Sequence, residues 1–204
     1  MAEPDVLIPR FARAERWVHR TFGLAMGTCL VTAFALYYGP VSVALGHRHT
    51  VELVHVWAGV LLLVPMLLGL ASAAYRSDLG RLNRFTAEDW RWLRSRNRRD
   101  GSFGVGKFNA GQKLNASLTA GSVLVLLGTG LLMFYTDLVR LAWRTGATFV
   151  HDWVALGLGL LVLGHILFAI SDPDARAGMR TGRVPRRWAE KEHPEWAAEE
   201  SDAS

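Results

Sequence analysis

The chain is 204 residues long, half of it hydrophobic and only 20% charged, with a formal net charge of +5 and a mean hydropathy of +0.16. These values exclude a disordered or fibrous protein, and they leave too little charge to clothe a soluble domain of this size. A single Cys excludes a disulfide framework, a four-Cys zinc site and an iron–sulfur cluster held by this chain alone.

A basic segment, 1–20, comes first and carries Arg10, Arg13, Arg16 and Arg20. Four stretches without Asp, Glu, Lys or Arg follow, at 21–46, 53–75, 114–136 and 153–171. A bilayer core about 30 Å thick takes roughly 20 apolar helical residues to cross. So small a globule cannot hide four such runs, and lipid selects segments whose backbone bonds close internally. The sequence therefore predicts an all-α integral membrane protein, a four-helix transmembrane bundle. The first stretch is too long for the apolar region of a cleaved signal peptide and has no small-x-small site after it. Pro65 predicts a kink in the second span.

Segment 1–20, the loop 76–113 and the tail 172–204 together hold twenty Lys and Arg; the two other loops hold only Arg48, Arg140 and Arg144. The positive-inside rule then puts both termini in the cytoplasm of a bacterial plasma (inner) membrane protein. The basicity is topological, which removes the support for a nucleic-acid partner and leaves membrane lipid. Within the loop, Thr86-Ala-Glu-Asp89 reads as a capping-box variant opening a short helix with Trp90 and Trp92, set against the alternative of a solvated basic loop.

Seven His remain to be explained. His47, His49 and His193 lie among polar residues and read as solvated side chains. His19 stands at the cytoplasmic mouth of the first span, His55 at the outer mouth of the second and His151 at the outer mouth of the fourth. His165 follows fourteen residues after His151 on the same helix. That separation is about 21 Å and close to four turns, so the two share a face near opposite membrane surfaces. Depth pairs His19 with His165 and His55 with His151, each pair drawn from two helices. Two pairs of imidazoles at two depths suit two six-coordinate haems, which leave no open iron position and so carry electrons. Without Cys-x-x-Cys-His the haems are noncovalent, of b type. Single intramembrane His also serve as helix-to-helix hydrogen bonds or proton relays. Gly23, Gly27, Gly59, Gly157 and Gly164 lie near these His and suit a flat macrocycle or ordinary helix packing.

The run Gly104 to Leu114 leads into the third span with too many glycines for a helix interior and no phosphate-loop pattern. Asn109 and Gln112 place carboxamides at the membrane edge; residue chemistry alone reads Asn109 as a helix N-cap.

The stretch GKFNAGQK (106–113), the four His placements and the tail GMRTGRVPRRWAEKEHPEW (178–196) together resemble the gamma subunit of membrane-bound formate dehydrogenase. This is a four-helix di-haem cytochrome b, related to the cytochrome b subunits of nickel–iron hydrogenases. The resemblance spans roughly residues 9–196. It implies that His55 and His151 ligate an outer b haem and His19 and His165 an inner one. It further implies that Asn109, Gln112 and His165 belong to a quinone site beside the inner haem. Electrons would come from an iron–sulfur beta subunit served by a catalytic alpha subunit, and would reach menaquinone or ubiquinone near the cytoplasmic face. Where the family often has paired His, this chain has Glu192-His193. A hydrogenase or another molybdenum oxidoreductase is the alternative host complex. A transporter is disfavoured by spans that hold no charged residue and no inverted repeat, and a non-redox anchor is the third reading.

Overall fold

The computed structural model describes residues 6–96, 98 and 103–202; Arg99, one of the basic loop residues, lies outside them. Four helical segments are long and apolar enough to cross a membrane: Arg13–Tyr37, Arg48–Gly69, Ala110–Phe134 and Leu141–Ser171. Each starts before its uncharged stretch, and all but the last stop short of that stretch's end. The last has 31 residues, about 46 Å at 1.5 Å per residue.

The chain divides into two compact units, one of residues 17–71 and 120–162, the other of 1–16, 72–119 and 163–204. The first is a bundle of α1 (Arg13–Tyr37), α3 (Arg48–Leu61) with α4 (Leu63–Gly69), α7 (Ala110–Phe134) and α8 (Leu141–Ser171). Its core is a cluster of Met26, Leu62, Val123 and Leu158, one residue from each span. Most other large apolar side chains of the spans, Leu24, Leu67, Leu124 and Leu160 among them, are exposed, as a lipid-facing surface requires.

Prolines set the local breaks. Pro65 has no N–H for the Leu61 carbonyl and its ring crowds that group, and the second span divides at Leu62 into α3 and α4. Pro40 likewise cannot bond Leu36. There α1 stops at Tyr37, α2 (Gly39–Leu45) begins anew, and the Arg48 guanidinium donates to the freed Leu36 carbonyl at 2.9 Å.

The second unit folds the two ends of the chain together. β1 (Leu7–Pro9) pairs antiparallel with β2 (Arg183–Pro185), Ile8 opposite Val184. α9 (Pro173–Thr181) starts at an Asp172 cap and ends at Gly182, whose φ of +89° only glycine adopts without strain. The Gly182 carbonyl accepts from the Arg10 and Phe11 amides. α10 (Arg186–Glu192) and α11 (Pro194–Asp202) complete a core of Ile8, Val184, Trp188, Ala189, Trp196 and Ala197. This unit also contains α5 (Ala73–Leu82) and α6 (Ala87–Arg94). α6 opens with the expected capping box: Thr86 Oγ1 accepts from the Asp89 amide, and Asp89 accepts from that of Thr86.

The tail therefore corrects the reading of His193 as a solvated residue: it is 1% exposed. Sequence polarity misled because the buried surface comes from Trp188 and Trp196, spaced eight apart among charged residues and gathered only once β2 pairs with a strand from the other end of the chain. His47 and His49 are exposed, as expected.

Candidate functional site

Four intramembrane His were expected to act in two pairs. The first unit brings one pair together. His55 on α3 and His151 on α8 face each other with ring centroids 6.2 Å apart and planes at 63°. Both rings are half-buried.

Each imidazole is held by a threonine from a different helix. Thr32 Oγ1 on α1 lies 2.9 Å from His55 Nδ1, and Thr129 Oγ1 on α7 lies 3.0 Å from His151 Nδ1. The hydroxyl protons are committed elsewhere. Thr32 Oγ1 donates to the Thr28 carbonyl at 2.6 Å, and Thr129 Oγ1 to that of Val125 at 2.7 Å. Each hydroxyl therefore accepts from Nδ1–H, which assigns the tautomer and leaves both Nε2 lone pairs for a metal. Cβ atoms built on Gly23, Gly27 and Gly59 would meet nothing within 4 Å, while one on Gly130 would stand 3.4 Å from His151 Cε1. Gly130 thus allows the imidazole to lie close to α7. The other glycines do not close a helix contact.

This donor set fits a single iron between two rings. Metal–imidazole bonds of about 2 Å, extended to the ring centres, place the centroids roughly 6 Å apart. No group of three or more His, Cys, Asp or Glu suited to a bare metal ion occurs among the described residues. Thr32→Val or Thr129→Val keeps shape and removes the acceptor, so each should weaken retention of the bound group about tenfold or more. Haem content after dialysis against apomyoglobin measures it, and unchanged retention in both variants would deny the threonines this role. Both threonines were missed from sequence, where a hydroxyl that bonds back to its own helix looks ordinary.

His19 lies on α1 in the first unit and His165 on α8 in the second; both are exposed. Their pairing rests on helical depth alone.

The GKFNAGQK stretch lies in the second unit. Asn109 Oδ1 accepts from the Gln112 amide at 2.9 Å, and Gln112 Oε1 accepts from the Asn109 amide at 3.0 Å. This is a reciprocal cap on α7. It uses both carboxamide oxygens and leaves both –NH2 groups as donors. Asn109 lines a cleft of about 180 Å³, open solvent included, with Trp92, Phe103 and Val105. Trp92 packs against Gly111, where an added Cβ would stand 3.4 Å from the indole. Lys113 pairs with Asp89 of α6 at 2.7 Å.

The backbone just before Asn109 is pinned from both ends of the chain. Arg10 Nη2 donates to the Lys107 carbonyl at 3.0 Å, and His193 Nδ1 donates to that of Gly106 at 2.7 Å. Arg10 also meets His193 Nε2 at 3.1 Å, which makes that nitrogen the acceptor. The Arg10 guanidinium lies 4.5 Å from the Trp188 ring centre and 5.5 Å from that of Trp196.

A profile of the family described as prokaryotic cytochrome b561 matches residues 10–179. Over 98 residues the chain is 32% identical to the "Formate dehydrogenase, nitrate-inducible, cytochrome b556(Fdn) subunit" of Escherichia coli (strain K12), covering 47% of this chain and 45% of that protein. The same identity over 98 residues holds for the "Formate dehydrogenase, cytochrome b556 subunit" of Haemophilus influenzae, there 41% of the relative. The match thus spans somewhat under half the length of these curated relatives.

Proposed function

The chain belongs to the prokaryotic cytochrome b561 family, and we propose that it is the membrane subunit of a formate dehydrogenase-like complex, transferring electrons from an iron–sulfur partner on the outer face to quinone near the cytoplasmic face. Two b haems supply the one-electron chemistry when bound. His55 and His151 hold one and His19 and His165 the other. Asn109 and Gln112 offer their free carboxamide donors to a quinone oxygen, with His165 nearby on the same side of the membrane.

The observation that carries this reading is the facing of His55 and His151 at 6.2 Å, each fixed by a threonine so that Nε2 is the free base. A proton relay needs no such symmetric tautomer control. The resemblance in GKFNAGQK supports the remainder. The test is a haem count on purified protein with reduced-minus-oxidised spectra. Two b haems per chain are expected; a colourless protein or a single haem overturns the reading.

The quinone residues have their own test. Gln112→Glu keeps the oxygen that caps α7 and removes the –NH2 donor. It should weaken a quinone-analogue inhibitor about tenfold, the worth of one hydrogen bond, with haem content unchanged. Gln112→Ala should weaken it at least as much. Equal affinity in wild type and both variants would place the quinone elsewhere.

A further inference from the structure

Lys107, two residues before Asn109, sits in an ionic cluster that the reading above leaves unused. Its Nζ lies 2.7 Å from both Asp78 oxygens and 3.7 Å from Glu15 Oε1. Glu15 comes from the start of α1, Asp78 from α5 and Lys107 from the loop before α7. The three side chains are only 7%, 8% and 12% exposed.

Two carboxylates and one ammonium do not balance. Fully ionised, the cluster would bury one net negative charge, which is expensive away from water. Counting the neighbouring Arg10 and Asp172 together leaves the same excess. Arg10 acts through space on both Asp172 and Asp78, uses Nη2 on the Lys107 carbonyl and His193 and keeps Nε and Nη1 unpartnered, while Asp172 caps α9 and accepts from the Trp188 indole. Glu15 Oε2 accepts from the Ala12 amide, and Oε1 is buried with no hydrogen-bond partner. The two carboxyls share one ammonium, Glu15 at 3.7 Å and Asp78 at 2.7 Å. Like charges held that close are relieved when one of them carries a proton, and a proton on Glu15 removes the excess charge.

We infer that the Glu15–Asp78 pair, clamped by Lys107, is a one-proton store that supplies the quinone site. The inference rests on the quinone reading of Asn109 and Gln112. Reduction of a quinone takes two electrons, which the iron–sulfur partner provides, and two protons. The Glu15 O–H bond breaks as a quinol O–H forms, Lys107 and Asp78 hold the carboxylate left behind, and cytoplasmic water returns a proton before the second transfer. A purely structural ion cluster would be served as well by equal numbers of acids and bases; the odd carboxylate distinguishes a store.

The test uses the haem-loaded complex in membranes and two readouts. Infrared difference spectra should show a protonated-carboxyl C=O band at neutral pH that shifts in D2O. It should vanish in Glu15→Gln and persist in Glu199→Gln, an exposed control in the same unit. Quinol formation should fall about a hundredfold in Glu15→Gln, with haem content, haem reduction by the donor and KM for quinone unchanged, and Glu15→Asp should restore part of the rate. A band that survives in Glu15→Gln, or a wild-type rate in that variant, overturns the proposal. If Glu15→Gln loses haem, Asp78→Asn decides: it removes the neighbouring carboxylate charge, so an unmoved band overturns the pair. Loss of the band in Glu15→Gln where even the wild-type complex reduces no quinone would sink the quinone reading and leave the proton store.

Discussion

His151→Ala should take the haem content from two per chain to one. On the proposed assignment both ligands of that haem are needed, because a six-coordinate iron that loses one imidazole loses half of what fixes it in a noncovalent site. Thr32 and Thr129 are poor substitutes, because their protons are already given to helix carbonyls. The variant should still fold, since the bundle core of Met26, Leu62, Val123 and Leu158 does not include the histidine. His55→Ala should behave identically. His165→Ala should instead remove the other haem together with quinone reduction, and leave the His55–His151 haem in place. Pyridine haemochrome assay and low-temperature spectra count and distinguish the two. Retention of both haems in any of the three variants contradicts the ligand assignment.

The spans and the meeting of His55 with His151 were legible in the sequence because membrane helices obey two strong constraints. Uncharged length marks the crossing, and an ionisable residue inside it must have a task. Depth alone paired His55 with His151. What stayed hidden depended on contacts between distant segments. Thr32 and Thr129 lie 23 and 22 residues before the imidazoles they hold, and each also bonds back to its own helix. Nothing in a single helix reveals such a double use. The tail was harder still. Arg10 and His193 are 183 residues apart, and both look like solvated polar residues until β1 and β2 pair. The Asn109 cap was readable in the loop chemistry, and it proved compatible with a binding role because only the oxygens are consumed.

Arg10→Ala should be the most damaging change in the second unit. It removes the Arg10 bonds to His193 Nε2 and to the Lys107 carbonyl and opens a gap between Trp188 and Trp196. The lost hydrogen bonds and the lost packing together cost about 3–5 kcal/mol. Burial lowers the Arg10 pKa from its ordinary guanidinium value to about 10. A base with a depressed pKa costs the folded state throughout the range below that value, where both states hold the proton, and the cost is relieved only as pH rises above about 10. At neutral pH the full desolvation cost is therefore present, and the bonds to Lys107 and His193 and the tryptophan faces offset it. Arg10→Met removes that cost and keeps most of the volume, so its stability should lie within about 1 kcal/mol of wild type. Both variants release the Lys107 carbonyl, two residues before Asn109. Thermal unfolding followed by tryptophan fluorescence should rank them wild type, Met, Ala, while quinone-analogue affinity falls in both and the His55–His151 haem stays. An Arg10→Met protein with unchanged analogue affinity would mean that the arginine only holds the ends of the chain together and does not position the loop.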